Sequence, residues 1–263
     1  MLGKLLKYDL KSNAVIMCIV FAAVAVATVG EKVALYFAHE YDDNPYIGIS
    51  SMSMTMIYAM ILIAAVFIAV FLVFRRFYNN CFGKEGYLTF TLPAKATHIY
   101  WSKYISALII LTAVAAIVIA SLFVVAGNDA RDILGFFKDI KTVMFDGIDV
   151  NPVLLTVLYI LSVVVSFLFF ISTVYCAICI GQNFKVHTLI ASIVAYLIIS
   201  WSVSILLSMI SAVILVVSDR FGDTAFGKYI IISEIVQITV HIIGMIAEHF
   251  YCIHKMKKGL NLK

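Results

Sequence analysis

Charge is what this chain has least of. Only 13% of its 263 residues are charged and 63% are hydrophobic, against about 25% and about 45–50% in a typical soluble domain. The mean hydropathy is +1.06. Too little polar surface remains to keep a fold of this length in water, so a soluble enzyme is excluded. Disorder is excluded by the same numbers, because disordered chains are poor in aromatic and branched residues. A disulfide framework is missing as well. Of the five cysteines, Cys18, Cys81, Cys176, Cys179 and Cys252, four lie inside or at the ends of apolar runs and none sits in a long polar loop. Cys176 and Cys179 form a C-x-x-C, but in an apolar run without a second pair, which reads as packing rather than zinc. No basic patch suits nucleic acid. There is no internal repeat, low-complexity stretch or linker, so residues 1–263 are expected to form a single transmembrane domain. No A-x-A site follows the basic start, so the first apolar run is expected to be retained as a span.

What the chain does have is long apolar runs. A helix crosses a hydrocarbon core of about 30 Å with about 20 residues. Six segments qualify: Ala14–Val29, Met52–Phe74, Tyr104–Ala126, Val153–Ile180, Thr188–Val217 and Tyr229–Ile253. They are continuous, without the alternation that a barrel strand requires. The expected class is therefore an all-α membrane protein with six transmembrane helices, an N-terminal interfacial helix and a cytoplasmic segment between helices 2 and 3. The interfacial helix is Met1–Ser12, with Leu2, Leu5, Leu6 and Leu10 on one side and Lys4, Lys7 and Lys11 on another, a pattern suited to anionic lipid headgroups. A second amphipathic segment, Arg131–Phe145, is expected to lie on the opposite membrane surface as a packing or anchoring helix.

Orientation follows from the Lys/Arg bias. With both termini in the cytoplasm, the inner side holds Lys4, Lys7, Lys11, Arg75, Arg76, Lys84, Lys95, Lys103, Lys185, Lys255, Lys257, Lys258 and Lys263, thirteen of the 19 basic residues. The outer side keeps Lys32, Arg131, Lys138, Lys141, Arg220 and Lys228, together with most of the acids, Glu31 and Glu40 among them.

The most informative polar stretch is Arg75–Lys103, RRFYNNCFGKEGYLTFTLPAKATHIYWSK. Pro93 stops any structure that runs into it. Phe82, Tyr87, Leu88, Phe90 and Leu92 bring apolar side chains to the cytoplasmic side. Such a cluster either marks a partner surface or folds back under its own helices, and the residues leave both readings open. The stretch resembles the permease subunits of bacterial ABC-2 type transporters, especially Gram-positive ones, whose pattern here is close to N-x-F-G-x-E-G-Y-L-T-x-T-L-P. Asn80, Phe82, Gly83, Glu85, Gly86, Tyr87, Leu88, Thr89, Thr91, Leu92 and Pro93 match it, with Ser102-Lys103 opening the next span. Beyond this motif the resemblance is one of architecture. It implies a bacterial plasma-membrane protein in which Phe82, Gly83, Glu85, Gly86, Tyr87, Leu88, Phe90 and Pro93 lie at or near the contact with a separate ABC ATPase subunit. It also implies a second permease, identical or different, and no cofactor in this chain, with ATP and Mg held by the ATPase. A P-loop needs G-x-x-x-x-G-K-[ST]. None of the Gly-Lys pairs, Gly3-Lys4, Gly83-Lys84 and Gly227-Lys228, is followed by Ser or Thr.

Ionisable residues inside spans are costly and are functional candidates by default. Glu234, Gln237, His241 and Glu248 fall on one stripe of the last span, at offsets 0, 3, 7 and 14, with Gly244 on the same face. The stripe reads as a pathway or as interhelical hydrogen bonding. A single deep His and a single Gln favour the second over a proton relay, with both glutamates expected to reach headgroup water. His249 and His254, with Cys252 between them, offer no clear metal set and are expected to anchor the span end at the interface. The serines of span five read as packing glue. No H-E-x-x-H supports an intramembrane protease. The expected function is the permease half of an ATP-driven exporter for a hydrophobic or amphipathic cargo such as a lipid, drug or antimicrobial peptide. The alternatives are a non-transporting membrane interaction protein and an ion-coupled secondary transporter, the latter lacking the expected repeats and broken helices.

Overall fold

Long helices carry all six apolar runs, and they run further than the apolar residues alone. The computed structural model describes residues 2–41, 45–83, 86, 95–127, 151–184, 187–219 and 225–257. The helices are α1 (Leu2–Glu40), α2 (Pro45–Phe82), α3 (Ala96–Ala126), α4 (Pro152–Gly181), α5 (Thr188–Asp219) and α6 (Ala225–Lys257). Each is long and apolar enough to cross a membrane, and no strand occurs among the described residues. The expected interfacial helix is not a separate element, because Leu2–Ser12 continue into the first span without a break. At its other end α1 carries Glu31, Lys32 and Glu40 within its last turns, where the sequence suggested a loop. No proline interrupts residues 2–40, and the other residues each cost a helix no more than about 1 kcal/mol, which packing overrides. The amphipathic segment Arg131–Phe145 lies outside the described residues.

Helix ends have local causes. At α4 the Asn151 side chain accepts a hydrogen bond from the Val153 N–H at 3.0 Å, and Pro152 occupies the first turn, where its missing N–H costs nothing. Gly127 ends α3 with φ at 55°, a left-handed geometry that side chains resist. The Lys32 ammonium donates to the Val124 carbonyl at 2.8 Å, so a cation satisfies an otherwise open C-terminal carbonyl.

The residues fall into two compact units. The first holds α1, α2 as far as Arg76, and α3 from Trp101. Its core joins Val20, Val24 and Ala27 of α1 to Tyr58, Leu62 and Ala65 of α2, with Ile61, Val118 and Val125 packed against them. These residues recur at spacings of three and four, one face of each helix. Within the same core the Thr28 hydroxyl lies 2.7 Å from the Val24 carbonyl oxygen and 2.9 Å from Ser121 Oγ. Ser121 Oγ is in turn 2.5 Å from the Tyr58 hydroxyl. Glu31 is 1% exposed and accepts a hydrogen bond from Thr55 at 2.8 Å. Where lipid removes the hydrophobic drive between helices, close packing and such bonds hold the bundle.

The second unit holds the end of α2 from Phe77, the start of α3 up to Tyr100, and α4, α5 and α6. Phe77 stacks on Tyr175 with centroids 3.9 Å apart, and the Tyr100 ring meets Tyr175 edge-on at 6.3 Å. Ile171, Cys176, Ala177 and Cys179 of α4 and Cys252 of α6 are buried in the same unit. All five cysteines are free thiols, and Cys176 and Cys179 pack as the sequence suggested.

Candidate functional sites along the helices

The motif after α2 is described only in part. Phe82, Gly83 and Gly86 are seen, while Glu85, Tyr87, Leu88, Phe90 and Pro93 lie outside the described residues. The Phe82 side chain is 8% exposed and meets the Phe77 ring edge-on at 6.0 Å, so it packs against the second unit. The Gly83 N–H donates to the Tyr78 carbonyl at 3.0 Å, and the Gly86 N–H donates to the Gly83 carbonyl at 2.9 Å.

The polar stripe of α6 faces α4. Ser166 Oγ lies 3.2 Å from His241 Nδ1, and Gln237 donates to the same oxygen at 3.4 Å. The His241 ring stacks on Phe169 at 4.7 Å with the planes 15° apart. A Cβ at Gly244 would sit 2.9 Å from Phe169 Cε2. The absence of a side chain there is what lets the Phe169 ring lie against α6. Glu234 Oε2 is buried and forms no hydrogen bond with a described residue.

Glu248 departs from expectation. The sequence placed it near the end of a span, within reach of headgroup water. In the structure it is 7% exposed, and neither carboxylate oxygen has a hydrogen-bond partner among the described residues. The reason is its neighbours: α4 presents Ser172 and Thr173 to it, and these are 0% and 2% exposed. His249 is also buried, with Nδ1 2.9 Å from the Tyr100 hydroxyl and 3.1 Å from Ser172 Oγ. It is therefore a core residue, whereas the sequence suggested an interfacial anchor.

Sequence reasoning missed the most concentrated charge in the first unit. Asp9 is 3% exposed and pairs with the Lys103 ammonium, itself 7% exposed. Arg76 approaches the same carboxylate at 3.4 Å and Asn13 Oδ1 at 3.1 Å, and Ser102 donates to Asp9 Oδ2 at 3.3 Å. The signal was present: Asp9 is the lone acid in an otherwise basic N-terminal segment. Its partners Arg76 and Lys103 flank the motif on both sides, so α1 is tied to both helices between which that stretch runs. Comparison of the chain with protein-family models, with curated proteins and with solved structures finds no match.

Proposed function

We propose that the chain is the membrane-spanning permease subunit of an ATP-driven ABC-2 type exporter. It sits in a bacterial plasma membrane with both termini cytoplasmic. A separate ATPase subunit, which binds ATP and Mg, supplies the energy, and a second permease completes the pathway. The observation that carries this reading is the stretch Asn80–Pro93, fourteen residues in a specific order between two apolar spans. Six helices long and apolar enough to span a membrane are compatible with it. The apolar spans and short acidic outer loops suit a hydrophobic or amphipathic cargo.

The test is isolation of the tagged chain from its own host in mild detergent. The expected result is a complex of two membrane subunits and two P-loop ATPase subunits by mass measurement, in which transport stops when ATP is withheld. A chain that transports as a lone monomer, or that is recovered repeatedly with no ATPase, overturns the proposal.

A further inference from the structure

A groove of about 650 Å³ runs along the flank of α5, entirely within the second unit. Its walls come from the end of α4, the turn that follows and the first turns of α5. The two helices approach closely there because Gly181 is bare: a Cβ on it would collide with Ser192 Oγ. Ala191 and Ala195, short and less exposed than their neighbours, make the floor. Ile190, Val194 and Ile198 make an exposed rim. The groove changes character along its length. Its deep end offers only aliphatic side chains, whereas Asn183 and His187 stand at its mouth. Asn183 Oδ1 accepts a hydrogen bond from the Lys255 ammonium of α6, and Asn183 Nδ2 donates to the Tyr251 hydroxyl at 3.5 Å. The ion pairs among the described residues are those of Asp9 with Arg76 and Lys103, so no described acid stands opposite Lys255. His254 and Lys257, both exposed, add basic groups at the same end of α6.

We propose that this groove holds one acyl chain of an anionic phospholipid, whose phosphate lies at Lys255 and His187. Length and charge select the occupant. From His187 at the mouth to Ile198 the chain rises about 16 Å, at about 1.5 Å per residue. Half of a hydrocarbon core about 30 Å thick is about 15 Å. The groove therefore spans one leaflet, polar at headgroup level and apolar toward the midplane. An acyl chain brings no polar atom to the floor of Ala191 and Ala195, whereas a peptide would strand backbone groups there. At the mouth, a phosphate supplies the negative charge that Lys255 lacks, and a basic pocket between spanning helices at the membrane surface suits an anionic headgroup. The lipid is a resident of the fold rather than its cargo and needs no ATPase, so the site stands or falls independently of the exporter reading.

The experiment titrates the detergent-purified full-length protein with phosphatidylglycerol or phosphatidylcholine of matched acyl chains and counts bound lipid by native mass spectrometry. One phosphatidylglycerol per chain should be retained, with an affinity about fivefold or more above that for phosphatidylcholine, the contribution of one lysine near a headgroup. Lys255→Gln should erase most of that preference, while Lys228→Gln, at the other end of α6, should leave it intact. Ala191→Phe fills the floor and should weaken retention of both lipids about tenfold. The charge substitution at the mouth keeps the test decisive if Ala191→Phe folds poorly. Equal retention of the two lipids by the parent overturns the proposal, as does a preference that survives Lys255→Gln. Full displacement of the lipid by inorganic phosphate at the same concentration also overturns it, because the site would then bind an anion without an acyl chain. So does a dimer that retains no lipid and that Ala191→Phe splits, because the groove would then be covered by a second copy.

Discussion

Replacing Asp9 with Asn isolates one term of the first unit's energetics, because it preserves shape and removes charge. Asp9 faces Lys103, Arg76 and Ser102. Once the carboxylate is gone, the Lys103 ammonium stays buried at 7% exposure and loses the Asp9 charge. Breaking a buried pair by removing one partner costs about 3–5 kcal/mol. At roughly 2–4 °C per kcal/mol for a chain in this size range, Tm should fall by about 6–20 °C. Arg76 has a side chain 19% exposed and can turn toward headgroups, so Arg76→Ala should cost about 1 kcal/mol. The decisive comparison is the double replacement Asp9→Leu with Lys103→Met. An apolar pair of similar volume removes both desolvated charges, and such replacements are often neutral. The double variant should therefore be clearly more stable than Asp9→Leu alone, read by thermal unfolding in one detergent. A Tm for Asp9→Asn within about 1 °C of the parent would refute the reasoning. So would a double variant no better than the single one, because the cost would then not come from the charge that Lys103 loses.

Other outcomes follow from the same structure. Gly244→Ala puts a methyl group 2.9 Å from Phe169 Cε2 and should destabilise by about 1–3 kcal/mol, with Gly244→Val worse, measured as a Tm loss. The proposed orientation predicts that in cells freed of native cysteines a cysteine at Asp132 reacts with an impermeant thiol reagent and one at Lys95 does not; the opposite pattern reverses the topology. Under the coupling hypothesis Tyr87→Ala weakens ATPase binding roughly thirtyfold, the effect of losing an aromatic anchor worth about 2 kcal/mol. Unchanged ATPase affinity together with a lower Tm of the isolated permease would show that the segment folds under its own helices instead.

The helices were legible in the sequence because an apolar run of twenty or so residues has few other solutions in lipid. Their ends were not. Hydropathy falls away at Asn13 and Gly30, yet α1 continues past both, since a single Asn or Gly inside a helix costs only about 1 kcal/mol and packing overrides it. That displaced one acid: Glu31 looked like an outer-loop charge and is instead, like the overlooked Asp9, among the most buried side chains of the first unit. The stripe of α6 was legible from spacing alone, because offsets of three, four and seven share a helix face. Which helix it faced was not, since Ser166 and Phe169 look like any other residues of an apolar span. Glu248 shows the same limit. Distance from the end of a span suggested water, while the depth of its burial is set by Ser172 and Thr173 on another helix.

The hydroxyls gathered at Ser121 give the first unit a rotational index. Thr28, Tyr58 and Ser121 come from α1, α2 and α3, and each contact runs through the single oxygen of Ser121. Packing between apolar faces tolerates small slides, because one methyl group replaces another. A shared hydroxyl does not: turning any one helix by a single residue moves its side chain about 100° around the axis and strands a polar group where lipid offers no replacement. The three helices are thereby geared, and the stretch of α3 that bears Ser121 can turn only if α1 and α2 turn with it.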